Sequence, residues 1–181
     1  VVEKCIREHG IPVANADNIN HDILDSDKEI VKQICDIFAP TNVLTEEGKI
    51  HRKKMGEIVF KDKSLLTKLE ELLHPKIRDR IQDFFDQNKD QKIVAVSIPL
   101  LYEKESFSKF CDYVILVIAD EETRLKRLMK RNSISEEQAR IRMNAQMPQE
   151  EKINKADFIV DNNGSIEDTE KQVKNILNKL A

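Results

Sequence analysis

Tyr113-Val114-Ile115-Leu116-Val117-Ile118-Ala119-Asp120 is the stretch on which the fold turns. Its apolar part, residues 113–118, is rich in β-branched side chains and too short for an independent helix, so it reads as a strand buried on both faces of a parallel sheet. A charged helical pattern over about 121–130 follows at once. Ile93-Val94-Ala95-Val96 and Phe158-Ile159-Val160 read the same way, and the latter leads into a helical pattern over 165–180. Ile11-Pro12-Val13-Ala14 is a shorter apolar run that ends in Asn15-Ala16-Asp17 and predicts a fourth strand. Strands alternating with helices imply an α/β fold with a doubly wound parallel sheet.

Helical periodicity fills much of the remaining chain. Residues 1–9 predict a short amphipathic helix that stops at Gly10. Ile30, Val31, Ile34, Ile37 and Phe38 fall on one helical stripe, as do Leu65, Leu66, Leu69, Leu72 and Leu73, then Ile77, Ile81, Phe84 and Phe85. Residues 18–90 therefore predict a helical block, with turn chemistry over 40–48. Within it, Pro75 restricts His74 and suits a first helical turn, which predicts that one helix ends and another begins there. Ser135-Glu136-Glu137-Gln138 has capping-box spacing and opens a helix to about residue 145.

Bulk properties exclude several function classes. The 181 residues fit one compact α/β domain with insertions. Lys and Arg total 30 against 33 Asp and Glu, a net charge of −3, which gives no basis for non-specific binding to nucleic acid or a membrane surface. Cys5, Cys35 and Cys111 are odd in number and far apart, fitting neither a disulfide framework nor a zinc site, so a reducing cytoplasm is expected. His9, His21, His51 and His74 include no pair at short metal-ligand spacing. No apolar run approaches the ~20 residues needed to span a bilayer, and no signal-peptide pattern opens the chain.

In open parallel sheets, ligands sit beyond the carboxyl ends of the strands. Here those ends carry Asp17, then Pro99-Leu100-Leu101-Tyr102-Glu103, then Asp120, then Asp161-Asn162-Asn163-Gly164. Asp17 is placed to accept a proton from a substrate hydroxyl or to help hold a magnesium ion, and equally to cap the following helix. Arg124, Arg127 and Arg131 share one helix face and could present guanidinium forks to a polyphosphate, or simply form a solvated stripe. His74 reads as a structural corner. The segment 161–165 is by default a turn and cap, with Asn163 also able to hydrogen-bond a base edge.

Taken in order, Gly10-Ile11-Pro12-Val13-Ala14-Asn15-Ala16-Asp17, Leu72-Leu73-His74-Pro75, Ile98-Pro99-Leu100-Leu101-Tyr102-Glu103 and the segments 124–131, 142–146 and 157–164 resemble the dephospho-CoA kinase family over nearly the whole chain. The resemblance implies a P-loop NTPase-like core from residues 1–17, 91–120 and 151–181, a helical coenzyme-binding region at 18–90 and a helical lid at 121–150. It implies ATP and Mg2+, with transfer of the γ-phosphate to the ribose 3′-hydroxyl of dephospho-CoA in the last step of coenzyme A synthesis. Asp17 then corresponds to the base and Arg127 to the arginine on the ATP phosphates, flanked by Arg124 and Arg131. Asn163 would lie near adenine, while Arg52, His74, Leu100, Leu101, Glu103, Arg142 and Gln146 would line or support the acceptor site. A monomer is expected.

Three departures qualify this likeness. The family usually has Asp at the position of Asn15 and Arg at the position of His21. No G-x-x-x-x-G-K-[ST] phosphate loop occurs in these residues, and on the alignment at Gly10 it would end just before Val1. The expectation is that the strand and loop belong to a segment missing from the sequence in hand, whose absence would leave two unpaired sheet edges and an inactive chain. A nucleoside monophosphate kinase-like enzyme and a non-catalytic coenzyme-binding module are the rival readings.

Overall fold

Helix α1 (Val2–Glu8) precedes strand β1 (Val13–Asn15), and helices α2 (Ala16–Ser26), α3 (Lys28–Phe38), α4 (Arg52–Lys61) and α5 (Lys63–Gln87) lead to strand β2 (Ala95–Ser97). Strand β3 (Ile115–Ile118), helices α6 (Glu121–Asn132), α7 (Glu136–Asn144) and α8 (Gln149–Ile153), strand β4 (Phe158–Asp161) and helix α9 (Ile166–Leu180) follow. The computed structural model describes residues 1–102 and 111–180. The α/β order is the one the apolar runs predict. Among the described residues, the strands form two ladders of two, β1 with β2 and β3 with β4. β3 and β4 are parallel, with Ile115 opposite Phe158 and Ile118 opposite Asp161, so their carboxyl ends lie side by side.

The chain divides into two compact units. One comprises residues 1–13, 91–95 and 99–181. Its core gathers Cys5 and Ile6 from α1, Val13, Val160 from β4, and Val173, Ile176 and Leu177 from α9, with Ile115 and Phe158 packed against them. The apolar stripe of α9 recurs at helical spacing, and each such side chain fully buried contributes about 1.5–3 kcal/mol relative to exposure. Helix α6 packs against α7. Ser135 opens α7 with the capping box that its sequence predicts: Ser135 Oγ accepts from the Gln138 amide, and the Gln138 side chain accepts from the Ser135 amide.

The other unit comprises residues 14–90 and 96–98, and in it α2, α3 and α4 all pack on α5. Helix α5 runs unbroken from Lys63 to Gln87 with Pro75 inside it, which corrects the expected division at His74-Pro75. The reason lies in the packing. Leu69 and Leu73 before the proline and Ile77 and Ile81 after it are all buried, and together they outweigh the roughly 3 kcal/mol intrinsic penalty of an interior proline. Pro75 itself is exposed. No helix among the described residues is long and apolar enough to cross a membrane.

Candidate functional site

The adjacent carboxyl ends of β3 and β4 carry a hydrogen-bonded junction. Asp120 caps α6, with Oδ1 accepting from the Thr123 amide at 2.7 Å and Oδ2 from the Thr123 hydroxyl at 2.9 Å. The Thr123 amide, then its hydroxyl, and further off the Arg127 charge hold the Asp120 carboxyl below its ordinary value. The backbone N–H of Asp120 donates to Asn163 Oδ1 at 2.8 Å, and the Asn163 N–H donates to Asp161 Oδ1 at 2.8 Å. Asn162 donates its N–H to the Ile118 carbonyl at 2.8 Å. Two turns into α6, Arg127 Nη1 reaches back to donate to the Asn162 carbonyl at 2.8 Å. The loop after β4 therefore grips α6 at its start and at Arg127.

The other arginines of the stripe differ in their surroundings. Among the described residues, Nε of Arg124 is buried with no hydrogen-bond partner, an arrangement that costs desolvation until an acceptor arrives. Arg131 lies exposed in the last turn of α6 and donates from Nε to Asn132 Oδ1 at 2.9 Å. Lys126 on the neighbouring stripe is paired with Glu122. Arg140, which the sequence reading did not single out, bonds Glu136 through Nε and Glu121 through Nη1, both at 2.9 Å, and so ties the first turns of α6 and α7 together. Arg142 is exposed in the last turn of α7, and Gln146 lies just beyond that helix, its amide donating to the Met143 carbonyl. Leu100 is 39% exposed and Leu101 is half-buried. Glu103 lies outside the described residues.

In the unit of residues 14–90, Asp17 occupies the first turn of α2 and is exposed. It does not cap the helix. Asn15 is the cap, its Oδ1 accepting from the Asn18 amide at 3.0 Å, and this corrects the capping alternative for Asp17. Both residue types cap well, and the helix begins at Ala16, two residues earlier than a cap at Asp17 requires. Asp17 is thereby left with its carboxylate in solvent. Asn20, one turn on, has a buried Oδ1 with no partner among the described residues. Arg52 opens α4 and pairs through Nη2 with Asp25 Oδ2 at 2.5 Å, and this bond is the main cause of the lowered pKa of Asp25. His74 sits half-buried in the middle of α5.

No group of three or more His, Cys, Asp and Glu suited to a metal ion occurs among the described residues. The chemistry on display is thus an exposed carboxylate at a helix start and an arginine-bearing helix at paired strand ends.

Comparison with known proteins decides what this arrangement belongs to. The sequence model of the dephospho-CoA kinase family matches residues 1–168. The chain belongs to the dephospho-CoA kinase family. A dephospho-CoA kinase from Listeria innocua is 37% identical, with 99% of this chain and 90% of that protein covered. Another, from Carboxydothermus hydrogenoformans, is 39% identical over 98% of this chain and 86% of its own length. Among solved structures, a dephospho-CoA kinase from Campylobacter jejuni superposes with a TM-score of 0.72 at 34% identity, covering 99% of this chain and 89% of that one. A protein of known crystal structure from Thermus thermophilus gives a TM-score of 0.81 at 30% identity, covering 99% and 90%. The α/β architecture is therefore that of dephospho-CoA kinases.

Set in that family, the capping bond of Asp120, the Asn162 carbonyl under Arg127 and the Arg140 tie between α6 and α7 are the contacts that sequence reasoning missed. Asp120 had a signal, since Asp before Glu121-Glu122-Thr123 is an N-cap pattern. The Asn162 carbonyl had none, because every residue carries one.

Proposed function

We propose that this chain transfers the γ-phosphate of ATP to the ribose 3′-hydroxyl of dephospho-CoA, forming coenzyme A. Family membership over residues 1–168 is the observation that carries the acceptor. The anchored Arg127, with the Nε of Arg124 on the same helix buried and without a partner among the described residues, supports the phosphate half of the reading.

In this proposal Asp17 takes the proton from the 3′-hydroxyl, and the 3′-oxygen bonds to the γ-phosphorus as the bond to the β–γ bridging oxygen breaks and ADP departs. A positioned base contributes roughly 10²–10⁴-fold. Arg127 stabilises charge on the transferring group, a task worth about 10³–10⁵ where an arginine finger performs it. Arg124 and Arg131 flank it. Residues 18–90, with Arg52 and His74, bind the coenzyme, assisted by Leu100, Leu101, Arg142 and Gln146, and residues 121–150 act as a lid. Asn163 contributes to the ATP site.

Magnesium keeps several waters and takes one or two carboxylates beside substrate phosphates. A single exposed carboxylate at Asp17, with no three-residue acidic or histidine cluster among the described residues, fits an ion held mainly by phosphate and water. An ion held there beside Asp17 would supply neutralisation of the phosphate charge. The assays use the full-length protein.

An acceptor panel tests the reading. Offered ATP, the full-length protein should phosphorylate dephospho-CoA and leave AMP, CMP and UMP untouched. Transfer to a nucleoside monophosphate would assign a different kinase, and coenzyme binding without transfer to any acceptor would assign a binding module.

A further inference from the structure

Asn163 stands near adenine in the family likeness, yet its amide oxygen already has a partner. It accepts the backbone N–H of Asp120 at 2.8 Å, at the start of α6. Its own N–H is fixed to Asp161 Oδ1, also at 2.8 Å. The neighbouring Asn162 is fixed as well. Its N–H bonds the Ile118 carbonyl, and its side chain meets Thr169 Oγ1 at 3.2 Å. Thr169 is fully buried on α9, between the Asn162 side chain and the Ser165 carbonyl, also 3.2 Å away. Its hydroxyl faces two acceptors, Asn162 Oδ1 and the Ser165 carbonyl, and its one proton is shared between them. The loop is thus anchored on its inner side to β3 and α9. On its outer side it grips α6 twice, through Asn163 at the helix start and through the Asn162 carbonyl at Arg127.

We propose that Asn163 is a positioning residue for Arg127: its side-chain oxygen holds the start of α6 on the loop after β4, so that the Arg127 guanidinium is carried at a fixed place for phosphate. The proposal rests on the reading of Arg127 as the phosphate cation. Two grips seven residues apart on one helix, from adjacent residues of one loop, fix both the position of α6 and its rotation about its axis. With the Asn163 grip removed, the loop after β4 keeps its hold on α6 through the arginine alone among the described residues. The arginine must then hold the helix as well as meet the phosphate.

This role and a direct contact with the base separate experimentally. Asn163→Ala loses the oxygen, whereas Asn163→Asp keeps it and loses the amide donor. In the full-length protein, Asn163→Ala should lower kcat about tenfold, the loss of ~1.4 kcal/mol from the transition state, with the KM for ATP nearly unchanged. Asn163→Asp should recover most of kcat. Arg127→Ala should be slow, and Arg127→Ala with Asn163→Ala should be no slower, because Asn163 acts through Arg127. Parent kcat in Asn163→Ala beside a slow Arg127→Ala would sink the positioning role alone. A raised KM for ATP at normal kcat in both Asn163 variants would assign the residue to the base instead, and additive losses in the double variant would likewise overturn the proposal. Arg127→Ala at the parent rate would sink the phosphate reading beneath it.

Discussion

Asp17→Asn separates chemistry from folding at the proposed base. The substitution keeps the shape of the side chain and removes its charge and its capacity to take a proton. Its effect on folding is bounded by where Asp17 sits. The residue is exposed, and the cap bond at the head of α2 is made by Asn15 to the Asn18 amide, so that bond survives. What folding loses is the attraction between a carboxylate and a helix N-terminus, about 0.3–1 kcal/mol. For a chain of this size that is a fall in Tm of roughly 4 °C at most. Loss of a general base removes about 10²–10⁴ in rate, or ~2.7–5.4 kcal/mol at 1.36 kcal/mol per factor of ten. The two ranges do not overlap. In the full-length protein, kcat from ADP release should drop at least ~100-fold, ATP affinity by calorimetry without acceptor should hold, and the melting curve should barely move. A variant that turns over at the parent rate removes Asp17 from the mechanism. A large fall in Tm would instead show that the carboxylate supports the fold.

The remaining predictions concern α5, on which α2, α3 and α4 pack. Asp62 caps α5, its Oδ1 accepting from the Ser64 hydroxyl and from the Ser64 and Leu65 amides, and chiefly the hydroxyl holds its carboxyl below the ordinary 3.8. A depressed native pKa stabilises above the unfolded value and is lost as pH falls through the native one, so Tm of the parent should drop on acidification from about pH 6 to about pH 3. Asp62→Asn keeps an acceptor without a proton to gain, and its Tm should fall less over the same range; equal slopes would show that the cap does not report the acid transition. Pro75→Ala restores an amide donor for the Glu71 carbonyl inside α5 and should raise stability to urea by up to ~3 kcal/mol. A loss of stability would show that α5 is bent at the proline and that its neighbours are fitted to the bend.

Sequence carries signals that are local and periodic, and those elements were legible. The runs at 113–118 and 158–160 declared β3 and β4 by length and β-branching, and Ser135 with Gln138 declared the head of α7. Helix α4 lies within the helical block predicted over 18–90 but was not singled out, because its apolar residues, Met55, Ile58, Val59 and Phe60, make barely two turns and are interrupted by Gly56. The continuity of α5 escaped because the proline rule is local, whereas the force that overrides it comes from Leu69, Leu73, Ile77 and Ile81 packing in the folded unit. The site divides along the same line. Arg124, Arg127 and Arg131 were recognisable by residue type and spacing, but what distinguishes them was not: one has a buried Nε without a partner among the described residues, one is held by a backbone carbonyl, and one lies exposed at the helix end. Asp120 and Asn163 lie 43 positions apart and meet only because β3 and β4 pair in parallel with Ile118 beside Asp161. Composition can supply an asparagine at a strand end. Only the register of the sheet decides which helix its oxygen holds, and hence whether a change at that position is felt in nucleotide affinity or in the rate of transfer.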